Sequence, residues 1–266
     1  MIECASGVVD ALAYVLSSDE TILFDIDAPE DLSPAFLAVT NCLAARLRSQ
    51  NVSFDTRRSP GMMSIMDNIR VGLTGQHGPR IIQSSEDPGS GRVFYARFQN
   101  AESERIQGFV DSFSPLLAGL PNLYEEMEST LAELMDNVFA HSESQEGGYL
   151  AGRHYADQNL LRFAVCDLGI SIPRHLRKME PTYVNKPDVE VLADAFVLGV
   201  SGDKTVRFGS GLPTVSDMTA QLGGHLFAYS GSAVYEVRAA SSGSRAVQQR
   251  FPGTLISIEW PTTGGE

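Results

Sequence analysis

The sequence predicts an α/β protein with two units, mainly because of the order of its apolar segments. The run from Thr21 to Asp27 predicts a strand, and the periodic segment after Ser33 predicts a helix. A second strand and helix follow, as in domains that lay helices on a sheet. From Asn122 the pattern changes to one long amphipathic helix. We therefore predict a small α/β domain over residues 1–100, a connecting helical segment over 101–121 and a larger α/β domain over 122–266.

Composition limits the classes of function. Of the 266 residues, 43% are hydrophobic, which is typical of a globular protein. The formal net charge of -13 disfavours binding to a phosphate backbone. No run approaches the roughly 20 apolar residues of a membrane span, and the N-terminus lacks the basic start of a secretory signal. Three widely spaced cysteines disfavour disulfides and structural zinc. We expect a cytoplasmic protein that binds neither nucleic acid nor membrane.

The larger unit shows a regular succession of predicted elements. Apolar residues from Leu131 to Phe139 recur at the spacing of one helical face, within a helix that runs from Asn122 to His141. A hairpin follows, with its turn at Ala156 to Asn159, and then a loop rich in Pro. After Pro187 we predict a second amphipathic helix, a glycine-rich segment, another helix, and strands at HLFAYSG, AVYEVRA and TLISIEW. Upstream, the segment GQHGPRIIQSSEDPGSGR is predicted to be loop.

A row of polar residues occupies every fourth position on one side of the long helix. It consists of Glu133, Asn137 and His141. Such a row is typical of the solvent-exposed face of a half-buried helix. The alternative is that Asn137 binds a hard cation through its amide oxygen, while Glu133 positions or deprotonates a water. The row alone leaves both interpretations open.

A second feature is VCDLGISIP, an apolar strand that ends at Asp167. A carboxylate at the end of a strand can accept a hydrogen bond from an exocyclic amine, and Gly169 allows a flat ring to approach the backbone. An Asp followed two residues later by Gly is also a common turn. The segment therefore predicts either a binding site or a turn.

A third feature is the glycine-rich segment before the next helix, with Gly209 and Gly211. Free amides at a helix start can bind phosphate oxygens. The dinucleotide-binding fingerprint is not met, and Asp203 replaces the glycine that a P-loop needs before Lys204. Lys204 and Arg207 are then either phosphate ligands or solvated loop charges.

Together these features form an ordered set that resembles the GHKL family of ATP-binding domains. ELMDNVFAHS is similar to the N box, CDLGISIP to the G1 box, FGSGLPTV to the G2 box and FPGTLISIEWP to the final Gly-Thr strand. The resemblance covers about Leu120 to Pro261. It implies a Bergerat fold, in which a mixed sheet carries helices on one face and ATP lies between those helices and a mobile lid.

The resemblance also implies a role for each matching residue. Glu133 would activate a water, Asn137 would bind Mg²⁺, and Asp167 would accept the adenine amine. Thr254 would lie near the adenine, and His141 near the phosphates. The other nucleotide-binding residues implied are Gly169, Ile172, Lys204, Arg207, Gly209, Gly211 and Leu212.

The chain departs from the family in two ways. Ser171 stands where the G1 box usually has its second glycine, which would tighten the pocket. No histidine occurs between Gln99 and Glu133, so a phosphoacceptor histidine upstream of the N box is missing and sensor-kinase autophosphorylation is disfavoured. The other histidines, which are scattered, are predicted to be surface or loop residues.

The N-terminal unit is similar to STAS domains, with Ser59 near the start of the second helix, where such domains can carry a serine that becomes phosphorylated. A generic α/β cap is the alternative. The whole chain resembles bacterial regulatory proteins that pair a STAS-like module with an ATPase domain. This implies a switch that binds ATP or ADP with Mg²⁺ and hydrolyses ATP, or passes its γ-phosphate to a regulatory protein partner. The alternatives are a non-catalytic nucleotide sensor and an ATP-gated homodimer.

Overall fold

The computed structural model describes residues 33–35, 37–39, 42, 80–82, 93–100, 103–196, 211–238 and 241–263. The described positions from Pro34 to Cys42 are helical, and the Leu37 amide donates to the Ser33 carbonyl at 3.1 Å. The helix predicted after Ser33 is confirmed at these positions. The strand predicted at Thr21 to Asp27, the second strand, and Ser59 lie outside the described residues.

Besides these helical positions, the described elements with defined bounds are five α-helices, one short 3-10 helix and six strands. The helices are α1 (Ser103–Asp111), α2 (Pro121–His141), α3 (Ile172–Met179), α4 (Asp188–Ala195) and α5 (Gly211–Gln221), with the 3-10 turn at Pro181–Tyr183. The strands are β1 (Arg80–Ile82), β2 (Val93–Phe98), β3 (Gly148–Tyr155), β4 (Leu160–Asp167), β5 (His225–Arg238) and β6 (Ser241–Pro261).

The six described strands form one sheet in the order β1-β2-β3-β4-β6-β5. Each neighbouring pair is antiparallel. The α/β class is therefore confirmed, whereas the mixed sheet is wrong for the strands that the structure describes. The sheet also crosses the predicted boundary at residue 100, because β2 pairs with β3 from Phe98↔Gly148 to Val93↔Arg153.

Two central predictions for the larger unit are confirmed. The long helix begins at Pro121, a residue tolerated in the first helical turn, and ends at His141. The hairpin pairs β3 with β4, from Tyr155↔Leu160 to Gly148↔Asp167. Asp167 is the last residue of β4, and the Ile170 amide just after it donates to the carbonyl of Ser142 at the end of α2.

Three local predictions are wrong. The segment after β4, predicted to be a loop rich in Pro, contains α3, since Pro173 lies in its first turn and costs no hydrogen bond there. The predicted loop GQHGPRIIQSSEDPGSGR includes strand β1. The two strands predicted at HLFAYSG and AVYEVRA are one strand, β5, with irregular register at Ser230 and Gly231.

The helices pack on one face of the sheet over a common core. Alternate residues of β4, Leu161, Phe163 and Val165, point into this core, and Phe163 meets Trp260 edge to face at 4.9 Å between ring centroids. The other face is also buried. There the thiol of Cys42 lies 3.8 Å from the Cys166 carbonyl oxygen, so helical residues from the N-terminal part of the chain contact the back of β4.

The hydrophobic segments of the helices are short or interrupted by charge. None of the helices that the structure describes has the length and apolar character needed to cross a membrane.

Candidate functional site

A cleft opens between the C-terminal half of α2, helix α3, the end of α4, the start of α5, the end of β4 and the middle of β6. Its empty space, including the part open to solvent, is about 810 Å³. Its walls are mostly apolar and its polar groups are few. The lining residues are Leu134, Asn137, Val138, His141, Ser142, Val165, Asp167, Ile170, Ile172, His175, Leu176, Ala195, Gly211, Leu212, Pro213, Thr254 and Ile256.

Asp167 lies at the floor of the cleft and is only 2% exposed. The Gly169 amide donates to its Oδ1 at 2.8 Å, and Thr254 faces it across the β4–β6 ladder. Burial raises the pKa of the Asp167 carboxyl to about 7, although hydrogen bonds from the Gly169 and Thr254 amides oppose this rise. A buried carboxyl of this kind is stabilised by a further donor, which a ligand with an amine would supply.

Gly253 has no side chain, and this allows β6 to pack closely against Asp167. A Cβ at this position would lie 2.7 Å from Asp167 Oδ1 and closer still to the Asp167 carbonyl oxygen. Any side chain there would displace the carboxyl. The Gly-Thr pair of β6 therefore shapes the floor of the cleft through the backbone of Gly253 as well as through Thr254.

A hydroxyl network that the sequence did not reveal holds this floor. Ser230 Oγ is fully buried, donates to the Gly253 carbonyl at 3.0 Å and lies 2.9 Å from Thr254 Oγ1. It also accepts the amide of Ile172 at 2.8 Å, at the first residue of α3. The Ser230 side chain on β5 thereby links this strand to β6 and to the start of α3. A buried polar position in HLFAYSG was the only sequence signal for it.

The polar row of α2 borders the cleft. Asn137 is half-buried and lines the cleft; its Nδ2 donates to the Glu133 carbonyl at 2.9 Å. That bond uses an amide hydrogen and not the amide oxygen, which is the atom a hard cation prefers. At Asn137, therefore, the polar row faces the cleft and is not simply a solvent-exposed helix face.

Glu133 lies one turn back from Asn137, at the contact between α2 and α5. A Cβ on Gly211 would overlap the Glu133 carboxylate, so the absence of a side chain at Gly211 allows the approach. Burial raises the pKa of Glu133; the charge of Asp136 adds to this rise and the Asn137 amide opposes it. The cleft lining includes Gly211 but not Glu133, which places Glu133 at its rim.

Gly169 does not line the cleft. A Cβ there would overlap the backbone carbonyl of Ser142, and the Ile170 amide donates to that same carbonyl at 2.5 Å. Gly169 therefore permits close contact between the loop after β4 and the end of α2, rather than the approach of a flat ring. Ser171, at the position of the expected second glycine, is fully buried, and its hydroxyl has no hydrogen-bond partner among the residues that the structure describes.

Two histidines meet inside the cleft. The rings of His141 and His175 have centroids 4.5 Å apart and planes inclined by 43°. His175 was predicted to be a surface or loop residue; that prediction is wrong, since it is half-buried on α3 and lines the cleft. Burial lowers the pKa of His175, and the charges of His141 and Lys178 lower it further, while Glu143 opposes them.

The structure brings together most of the residues implied by the resemblance. Those that line the cleft are Asn137, His141, Asp167, Ile172, Gly211, Leu212 and Thr254. The predictions for Lys204, Arg207 and Gly209 fall outside the described residues. Within the described part of the chain, no group of three or more His, Cys, Asp or Glu side chains is arranged to hold a metal ion.

Mg²⁺ seldom needs such a group. It keeps several waters and is usually held by one or two protein oxygens together with the phosphates of a substrate. The Asn137 amide oxygen fits that limited requirement.

Comparison of the chain with protein-family models, curated proteins and solved structures finds no match.

Proposed function

We propose that the chain binds Mg-ATP in the cleft and acts as a regulatory switch, hydrolysing ATP or transferring its γ-phosphate to a protein partner. The observation that carries this proposal is that residues far apart in the sequence line the same cleft. Asn137, Asp167, Gly211 and Thr254 are spread over more than a hundred residues of sequence, yet all four line one cleft.

The floor of the cleft suits an adenine ring. The apolar walls include Val138, Val165 and Ile256, which can pack against a flat base, while Asp167 accepts a hydrogen bond from the exocyclic amine. A hydrogen bond to a charged acceptor contributes roughly 1.5 to 3 kcal/mol. Because the Asp167 carboxyl is held by two backbone amides, its position is fixed before the ligand arrives.

The rim of the cleft suits the phosphate end. Bound Mg²⁺ would neutralise phosphate charge and polarise the γ-phosphate, with Asn137 as its ligand from the protein. Glu133 would accept a proton from the attacking water. Its raised pKa makes it a better base than an ordinary carboxylate near neutral pH.

Calorimetric titration with ATP and ADP, each with and without Mg²⁺, tests binding. We expect saturable heat with the wild-type chain, a stronger effect of Mg²⁺ on ATP than on ADP, and loss of binding in Asp167→Asn. Asp157→Asn makes the same chemical change at an exposed turn residue and should bind normally. The absence of heat from both nucleotides would refute the proposal.

Phosphate release tests the catalytic part. Glu133→Ala should bind ATP and release phosphate far more slowly than the wild type, with and without candidate partners. Binding with no phosphate release under any condition would favour the nucleotide sensor instead. A nucleotide-dependent doubling of mass in light scattering would favour the ATP-gated homodimer.

A further inference from the structure

The described lining of the cleft contains no lysine and no arginine. Among these lining residues only His141 and His175 can carry positive charge, and the cleft also holds the carboxyl of Asp167. The whole chain has a formal net charge of -13. Apart from bound Mg²⁺, positive charge beside a nucleotide phosphate in this cleft therefore comes from the ring pair, or from residues outside the described part of the chain.

Two of the three other cations of α3, Arg177 and Lys178, form ion pairs with residues that do not line the cleft. Lys178 Nζ lies 2.6 Å from Glu143 Oε1, and Arg177 pairs with Asp188 at 2.6 Å while also donating to the Lys186 carbonyl. Asp188 is in turn held by the Ser232 amide at 2.8 Å. Of the basic residues on this helix, His175 is the one that faces the cleft.

We propose that His175 is a specificity residue that recognises a phosphate of the bound nucleotide and takes up a proton when the nucleotide binds. This inference rests on the proposed function. Contact with the His141 ring at 4.5 Å fixes the orientation of the His175 ring at the cleft wall. An imidazolium donates from both nitrogens, so one can bond a phosphate oxygen whichever tautomer was present before.

The electrostatics of the cleft favour a neutral His175. Burial, His141 and Lys178 all lower its pKa from the ordinary value of 6.5, while Glu143 opposes them. A bound anion favours the charged ring and raises that pKa. Beyond these groups, Arg174 and Arg177 lie on α3 itself, Tyr183 and Asp188 lie on elements packed against α3, and Asp167 lines the same cleft.

The sign of the pH effect follows from this linkage. Proton uptake occurs between the lower pKa of the free ring and the higher pKa of the bound ring. The contribution of His175 to ATP affinity is therefore greatest at low pH and falls as pH rises through the bound pKa, by at most about tenfold per pH unit. Ionisation of Asp167 affects ATP and adenosine alike, so the difference between the two ligands isolates the His175 contribution. Adenosine, which has no phosphate, should not show this His175-dependent component.

The test compares wild type with His175→Gln, whose side chain still forms hydrogen bonds but cannot be protonated. Calorimetry between pH 6 and pH 8 gives Kd for Mg-ATP and adenosine, and buffers of different ionisation heat give the protons taken up. His154→Gln is the matched control, because His154 is half-buried on β3 and does not line the cleft. Since ATP itself titrates in this range, each result is read as variant against wild type.

We expect His175→Gln to weaken ATP binding roughly tenfold at pH 6, to have less effect at pH 8, and to lose the proton uptake, while adenosine binding is unchanged. Equal pH profiles and equal proton uptake in variant and wild type, with both ligands bound, would overturn the inference alone. Failure of wild type to bind either ligand would overturn the proposed function and this inference with it.

A second readout uses the wild-type chain, so it does not depend on the variant folding. NMR titration of the histidine ring protons should show that saturating ATP raises the pKa of the His175 ring. Adenosine should leave that pKa where it is. An unchanged His175 pKa in saturating ATP would also overturn the inference.

Discussion

Replacing Asp167 with asparagine should change the pH dependence of stability in a defined way. In the folded chain the carboxyl titrates at about 7, whereas its ordinary value is 3.8. Between these values the unfolded chain has lost the proton and the folded chain retains it, so the free energy of unfolding falls as pH rises. Below 3.8 both states are protonated, and above about 7 both are ionised, so the effect is confined to that interval.

The magnitude follows from the width of the interval. Each pH unit corresponds to about 1.4 kcal/mol, so the interval from 3.8 to about 7 corresponds to about 4 kcal/mol. Asp167 is 2% exposed, so solvent screening removes little of this. Asparagine is nearly isosteric, still offers an oxygen to the Gly169 amide, and has no charge to bury.

Urea unfolding of wild type and Asp167→Asn between pH 4 and pH 8.5 measures the effect. The free energy of unfolding of the variant relative to wild type should rise by up to about 4 kcal/mol across this range and then level off. Asp157→Asn, the exposed control, should show no such rise. A flat difference for Asp167→Asn would mean that the carboxyl is already ionised in the folded chain at low pH, and would refute the reasoning.

Other substitutions test the packing around the site. Ser171→Ala should raise the free energy of unfolding by about 1 kcal/mol, because the buried hydroxyl has no partner within the described part of the chain. Ser230→Ala should lower it by roughly 1 to 3 kcal/mol, because it removes the acceptor of the Ile172 amide. Chemical denaturation of both variants compares them, and a reversed order would contradict the hydrogen-bond assignment. Gly211→Ala should weaken ATP binding and slow phosphate release because a Cβ overlaps the Glu133 carboxylate, and unaltered activity in the same assays would show that α5 can shift without cost.

The elements with strong local signals were predictable from the sequence. The long helix α2 has regular apolar spacing and a Pro at its start, and the β3–β4 hairpin has apolar strands joined by a polar turn. The end of β4 followed from the same pattern, which placed Asp167 at the end of a strand. These are periodicities of single segments, which do not depend on the rest of the fold.

Contacts between distant segments were not predictable in this way. His175 carries no local motif, and only the packing of α3 across the cleft brings its ring to His141. Ser230 looks like any polar residue in a strand until its three partners on β6 and α3 are known. Helix α3 itself was missed because Pro173 resembles a loop residue in sequence but is a first-turn residue in the structure.

Gly169 shows a further limit of sequence reasoning. The absence of a side chain is needed there, as predicted, but the group that occupies the space is the Ser142 carbonyl and not a ligand ring. A glycine in a sequence indicates close approach without saying what approaches. The strand order and the antiparallel pairing likewise follow from the whole chain, and the expectation of a mixed sheet came from resemblance alone.

The central claim is that the Asp167 carboxylate reads the amine of an adenine ring in the cleft. The most direct measurement is the calorimetric affinity of the wild-type chain for adenosine and for purine riboside, which lacks only that amine, at pH 8, where Asp167 is ionised. Loss of a hydrogen bond to a charged acceptor predicts binding of purine riboside that is weaker by roughly 10- to 100-fold. Equal affinity for the two nucleosides, or no binding of adenosine, would contradict the account.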